Sequence, residues 1–172
     1  MLQSDTMEFI LERIHRAWQI QACVCSGDGA VLLTAANCNE SNLQALPDAE
    51  LIKGLYGKCQ VNSLPIVSME EDMVYYMAFL DQEQRMYLIG QIATEKLTFF
   101  QDHSYRRRHG ITEQNYRIPY LPPARALTCL SLIYYMVTGQ TVSEKELMQE
   151  NKVLEGIPDI EYSYYQIKQD SA

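Results

Sequence analysis

The first apolar positions recur at helical spacing. Met7, Ile10, Leu11, Ile14, Ala17 and Trp18 fall on one face of a helix expected from about Asp5 to Gln19. Asp5 and Glu8 have the spacing of a capping box, with aspartate in place of serine or threonine. The period then changes. Ile20 to Ser26 and Ala30 to Ala36 are β-prone runs around Gly27-Asp28-Gly29, residue types that accept the positive φ of a tight hairpin turn. Asp48 to Tyr56 returns to a helical pattern. Gly54 and Gly57 weaken it, so short helical pieces are expected.

Pro65 opens the next apolar run, as suits an edge strand or a strand start. Met73 to Leu80 and Met86 to Ala93 flank the polar step Asp81 to Arg85 and are apolar at almost every position. Strands of that kind are covered on both faces, or by helices on one face and by a ligand or partner on the other. Thr94 can cap a helix from Glu95 to about Arg108, with basic residues in its last turn and Gly110 ending it. Pro122-Pro123 and Gly139 bracket a further helix, and Ser143 with Glu146 forms a capping box for a final one, to about Leu154. The expected fold class is α+β: a five-stranded antiparallel sheet with flanking helices, plus C-terminal helices.

Composition adds limits. The chain has 172 residues, 47% of them hydrophobic, enough to bury a core. Its formal net charge is -8, which opposes direct contact with a phosphate backbone. The apolar stretch Ala124 to Val137 falls short of the roughly 20 residues that a bilayer span needs, so no membrane is expected. Cys23, Cys25, Cys38, Cys59 and Cys129 are odd in number and sit in apolar segments. The first residues are polar rather than a signal sequence, so a cytoplasmic chain with free thiols is expected.

The segment MYLIGQIATEKL through YRIPYLPPARALTCLSLIYYMVTGQTVSEKEL has a recognisable series of steps. Leu88-Ile89-Gly90 forms a turn closing the last strand, and a helix with basic residues follows. Then come Tyr116-x-Ile118-Pro119, a leucine-rich helix ending in Thr138-Gly139, and a short acidic helix. This resembles the N-terminal sensor region of AraC-type, YesN-like, bacterial transcriptional regulators. Gln91 stands where such regulators often carry proline. The element order is similar to that of PAS and GAF sensor domains.

The resemblance implies a PAS/GAF-like sensor core at residues 1–110. A C-terminal helical extension at 111–172 would serve dimerisation and linkage, packed on the core as one unit. It also implies an unidentified small-molecule effector, a homodimer, and DNA contact through a helix-turn-helix part that this sequence does not contain. A ligand-free interaction module is the alternative, and a small enzyme is a third reading.

Candidate chemistry is sparse. Cys23 and Cys25 share a strand face by alternation, yet no second cysteine pair completes a zinc pattern, so no metal is expected. His15, His103 and His109 lie on helix faces or ends, and no nucleophile-elbow, zincin or P-loop pattern occurs, so neither enzyme activity nor a cofactor is expected. Glu70, Glu71 and Asp72 read as a solvated turn, and Arg106-Arg107-Arg108-His109 as dipole complementation at a helix end.

Within the resemblance, sheet and short helices would enclose a pocket. Trp18, Cys23, Tyr75, Met77, Phe79 and Tyr87 are the candidate ligand contacts, since tyrosine supplies both apolar surface and a polar tip. The Pro123 helix carries two apolar rows: Leu127, Leu130, Tyr134 and Val137 on one, Ala126, Cys129, Ile133 and Met136 on the other. A helix apolar on more than one side needs a second partner. Leu127, Leu130, Ile133, Tyr134 and Val137 are therefore the candidate dimer contacts.

Overall fold

The protein is described from a computed structural model, covering residues 3–35, 47–71, 73–108, 110 and 118–151. The elements run α1 (Ser4–Trp18), β1 (Ala22–Cys25), β2 (Val31–Thr34), α2 (Ala49–Gln60), β3 (Ile66–Glu71), β4 (Val74–Leu80), β5 (Met86–Ala93), α3 (Phe99–Arg108), α4 (Pro123–Thr138) and α5 (Glu144–Glu150). The strands form one five-stranded sheet in the order β2-β1-β5-β4-β3, every neighbouring pair antiparallel. The α+β class read from the sequence is what the chain adopts.

Alternation divides the sheet into two buried faces. Ala22, Val24, Tyr75, Met77, Phe79, Tyr87 and Ile89 meet α1, α4 and α5 on one face. Cys23, Cys25, Tyr76, Ala78, Met86 and Leu88 meet α2 on the other. This explains why β4 and β5 are apolar at nearly every position: both of their faces are covered by the chain's own helices.

Several local expectations shift. Strand β5 does not turn at Gly90. The register passes from Tyr75↔Ile92 to Met77↔Ile89, so Gly90 and Gln91 together oppose Tyr76 as a bulge inside the central strand. Ile89 and Ile92 are three apart and still share a face because of that extra residue. Gly90 has φ +142°, and a Cβ there would lie 2.8 Å from the Tyr76 ring.

Helix α1 starts at Ser4, so Asp5 lies inside the first turn rather than at the cap, and Gln3 caps without a side-chain bond. Helix α2 runs unbroken through Gly54 and Gly57. Asp48 caps it by accepting from Leu51 N at 2.9 Å, and its buried Ile52, Leu55 and Cys59 hold it to the sheet. Helix α3 starts after Thr98, not Thr94. The Thr98 hydroxyl accepts from Gln101 N at 3.3 Å while the Gln101 side chain accepts from Thr98 N at 2.8 Å. The brackets of α4 and the Ser143–Glu146 capping box form as read.

Candidate functional site around helix α3

The candidate ligand contacts are not brought together. Tyr75, Met77, Phe79 and Tyr87 are buried under α1 and α4, with Trp18 packed beside them. Cys23 lies across the sheet under α2. Phe79 stacks on Tyr87 at 5.3 Å between centroids and meets Tyr134 edge-on at 5.2 Å. The Tyr75 hydroxyl donates to Leu121 O at 2.9 Å, and burial raises its pKa. Tyr87 OH has no hydrogen-bond partner among the described residues, and burial pushes its pKa up to about 12. This aromatic row is the hydrophobic core. The expected pocket over it is filled by helices that the linear pattern did not assign to that face.

The candidate dimer contacts face inward as well. Leu127, Leu130, Ile133 and Tyr134 are buried against the sheet, and Val137 is half-buried beside them. Of the second apolar row, Ala126, Cys129 and Ile133 find their partner in the chain itself, whereas Met136 does not. The outward row of α4 is instead Thr128, Leu132, Tyr135 and Met136, all exposed.

Other charged candidates resolve as local structure. Glu70 accepts from Ser68 and pairs with Lys58 of α2 at 3.3 Å. Asp72, His109, Cys38 and Tyr116 lie outside the described residues, as does the side chain of Glu71. Among the described residues no group of three or more His, Cys, Asp and Glu side chains is placed to hold a metal ion. No helix there is long and apolar enough to cross a membrane.

Among the described residues, two grooves lie elsewhere, on the two sides of α3. Tyr105 is the buried residue of this helix, packing on Val74 and Ile118 and donating its hydroxyl to the Gln91 side chain at the β5 bulge. One groove, of about 530 Å³, is lined by Lys96, Leu97, Thr98, Phe99, Asp102, His103, Arg106, Ile118 and Tyr120. The other, of about 590 Å³, is lined by Met73, Val74, Leu97, Phe100, Gln101, Ser104, Tyr105 and Arg108.

Phe99 and Phe100 project between them, 81% and 83% exposed. The His103 ring lies parallel to Phe99, 6.1 Å away. Arg106, 13% exposed at its side chain, holds Asp102 through Nε at 2.9 Å. That pair is internally neutralised, so Lys96 gives the first groove its net positive character. The arginine run therefore does more than complement a helix dipole: Arg106 forms part of the first groove's wall and Arg108 part of the second's.

The far wall of the first groove is connected to the rest of the fold. Ile118 and Tyr120 belong to a segment that pairs with the end of β5, Ala93 N donating to Pro119 O at 2.8 Å and Leu121 N to Ala93 O at 3.3 Å. Two residues after Tyr120 the chain enters α4 at its cap, Pro122. The sequence did carry a signal for this site. Two consecutive phenylalanines at a helix start, in a helix without an apolar stripe, cannot both be buried against one neighbour.

Comparison with protein-family models, with curated proteins and with solved structures gives no match.

Proposed function

We propose that this chain is a ligand-sensing and dimerising unit of a bacterial transcription regulator of the AraC type. Its small-molecule site would be the first α3 groove rather than the aromatic sheet face. One observation carries the reading: the groove's far wall, Ile118 to Tyr120, is hydrogen-bonded to the central strand and runs directly into α4. A ligand held there shifts the population of arrangements of α4 by binding one of them better. The wall chemistry suits a small anion with an apolar body, its charge at Lys96 and its body on Phe99 and Tyr120. The outward row of α4, with Leu132, Tyr135 and Met136, is the face offered to a second copy.

Thermal shift with small aromatic and aliphatic carboxylates and phosphates tests the site. A ligand at a hundred times its Kd stabilises by about 2.7 kcal/mol. For a chain of this size that is a rise of about 5–10 °C in Tm. The rise should vanish in Lys96→Glu and Phe99→Ala. Flat responses to all three classes would overturn the sensor reading and favour the second one, a ligand-free interaction module. That alternative has its own support in the solid sheet core and the exposed Phe99-Phe100 pair. Light scattering tests the dimer: a strict monomer at several hundred micromolar would remove it, and Tyr135→Glu should dissociate a dimer.

A further inference from the structure

Beneath α2 lies a chemical group that the α3 groove does not use. Cys23 and Cys25 are two residues apart on one face of β1, and their sulfurs are 3.5 Å apart. Both are buried. The β1–β2 register shifts between Val24 and Cys25, so the pair sits at an irregularity rather than in a regular ladder. A disulfide needs the sulfurs at about 2.05 Å, an approach of roughly 1.5 Å. A third thiol, Cys59, lies in the same apolar cluster, on α2 itself.

The cover carries two glycines. Helix α2 is continuous, yet Gly54 and Gly57 lie within it, and a Cβ at either position would meet nothing within 4 Å. Packing therefore requires neither glycine, and each lowers helix stability relative to alanine. Polar tethers hold α2 at or near the surface: Tyr56 OH donates to Gln84 O at 2.7 Å, and Lys58 Nζ to Ser68 Oγ at 2.9 Å. An element of this kind opens locally at a lower free energy than the core.

We propose that Cys23 and Cys25 form a redox dithiol, which hydrogen peroxide closes to an intramolecular disulfide when α2 opens. The Cys25 thiolate attacks one peroxide oxygen; an S–O bond forms, the O–O bond breaks, and the departing hydroxide takes a proton to become water. Cys23 then gives up its proton and attacks the Cys25 sulfur. The S–S bond forms, the S–O bond breaks, and hydroxide leaves with that proton as a second water. Two thiols lose two electrons, and one peroxide gains them. The contact between the two sulfurs lowers the Cys25 pKa and so favours a thiolate within the pair, whereas burial raises Cys59 to about 12 and keeps it protonated.

The test uses the full chain and submillimolar hydrogen peroxide, read by intact mass and differential alkylation. The expected product is 2 Da lighter, with two of five thiols lost. Cleavage before Asp28 separates Cys23 and Cys25 from Cys38 and should leave the bond within the N-terminal fragment. Gly54→Ala and Gly57→Ala, which cannot disturb the sulfurs directly, should each slow oxidation by roughly fivefold. A small-molecule dithiol should restore all five thiols. Three results would overturn the proposal: products that gain oxygen without losing 2 Da, a bond to Cys38, Cys59 or Cys129, or oxidation no faster than global unfolding.

Discussion

Replacing Gly90 with alanine tests the β5 bulge, because two independent costs converge on that atom. The first is conformational. At φ +142° an L side chain is strained whatever space surrounds it, at about 1–3 kcal/mol. The second is steric. The new Cβ would lie 2.8 Å from Tyr76 Cδ1, 3.1 Å from Tyr75 O and 3.2 Å from Tyr76 Cα. Two of those three neighbours are backbone of the adjacent strand and cannot swing aside, so overpacking adds about 1–3 kcal/mol. The sum is about 3 kcal/mol or more, equivalent to a fall of roughly 6–12 °C in Tm for a chain of this length.

Urea unfolding of Gly90→Ala should show that loss. Two other glycines calibrate it. Gly139→Ala meets no atom but keeps a left-handed φ of +73°, so it should lose about 1 kcal/mol. Gly54→Ala has neither problem and should gain about 1 kcal/mol. A Gly90→Ala loss no larger than that of Gly139→Ala would refute the bulge geometry. The central strand would then be regular, and Ile92 would belong to the α2 face.

Two tyrosines on the same sheet face should respond oppositely to loss of the hydroxyl. Tyr75→Phe removes a bond to Leu121 O and should cost about 1 kcal/mol, whereas Tyr87→Phe removes a hydroxyl with no described partner and should be neutral or stabilising, both read by urea midpoints. Asn151→Ala should cost about 2–4 kcal/mol and speed amide exchange at Val67. Its buried side chain accepts from Val67 N at 2.8 Å and donates to Pro65 O at 3.1 Å and Leu147 O at 2.8 Å, fastening the end of α5 to the edge strand β3. Alkaline pH should weaken the fold through Cys59. Burial raises this thiol from 9.0 to about 12, so the unfolded chain releases the proton first, and stability is whole below pH 9 and lost as pH rises toward 12. At pH 10.5 the Cys59 share of the loss is about 2 kcal/mol; Cys59→Ala should lose less than the parent by that amount, and equal pH profiles for the two proteins would remove the burial argument.

Element type and order were legible because periodicity reports burial, and burial here follows the strands and helices closely. What periodicity cannot report is which neighbour does the burying. Tyr75, Phe79 and Tyr87 carry the same pattern whether a ligand or a helix covers them. Leu127, Leu130 and Ile133 carry the same pattern whether they face their own sheet or a second copy. In both cases the chain supplied its own cover, because α1, α4 and α5 together fill one sheet face.

Glycine misled for a related reason. Gly54 and Gly57 lower helix propensity, but Ile52, Leu55 and Cys59 outweigh that cost through contact with the sheet. Gly90 looked like a strand end and is a bulge, since a run of apolar residues does not disclose a one-residue slip. The exposed Phe99-Phe100 pair follows the opposite logic. Nothing in the described fold covers it, although burying two such rings is strongly favourable. Residues whose exposure the folded chain does not explain point to function more directly than residues whose burial it does explain. That contrast is why the candidate site belongs at α3 and not on the aromatic face of the sheet.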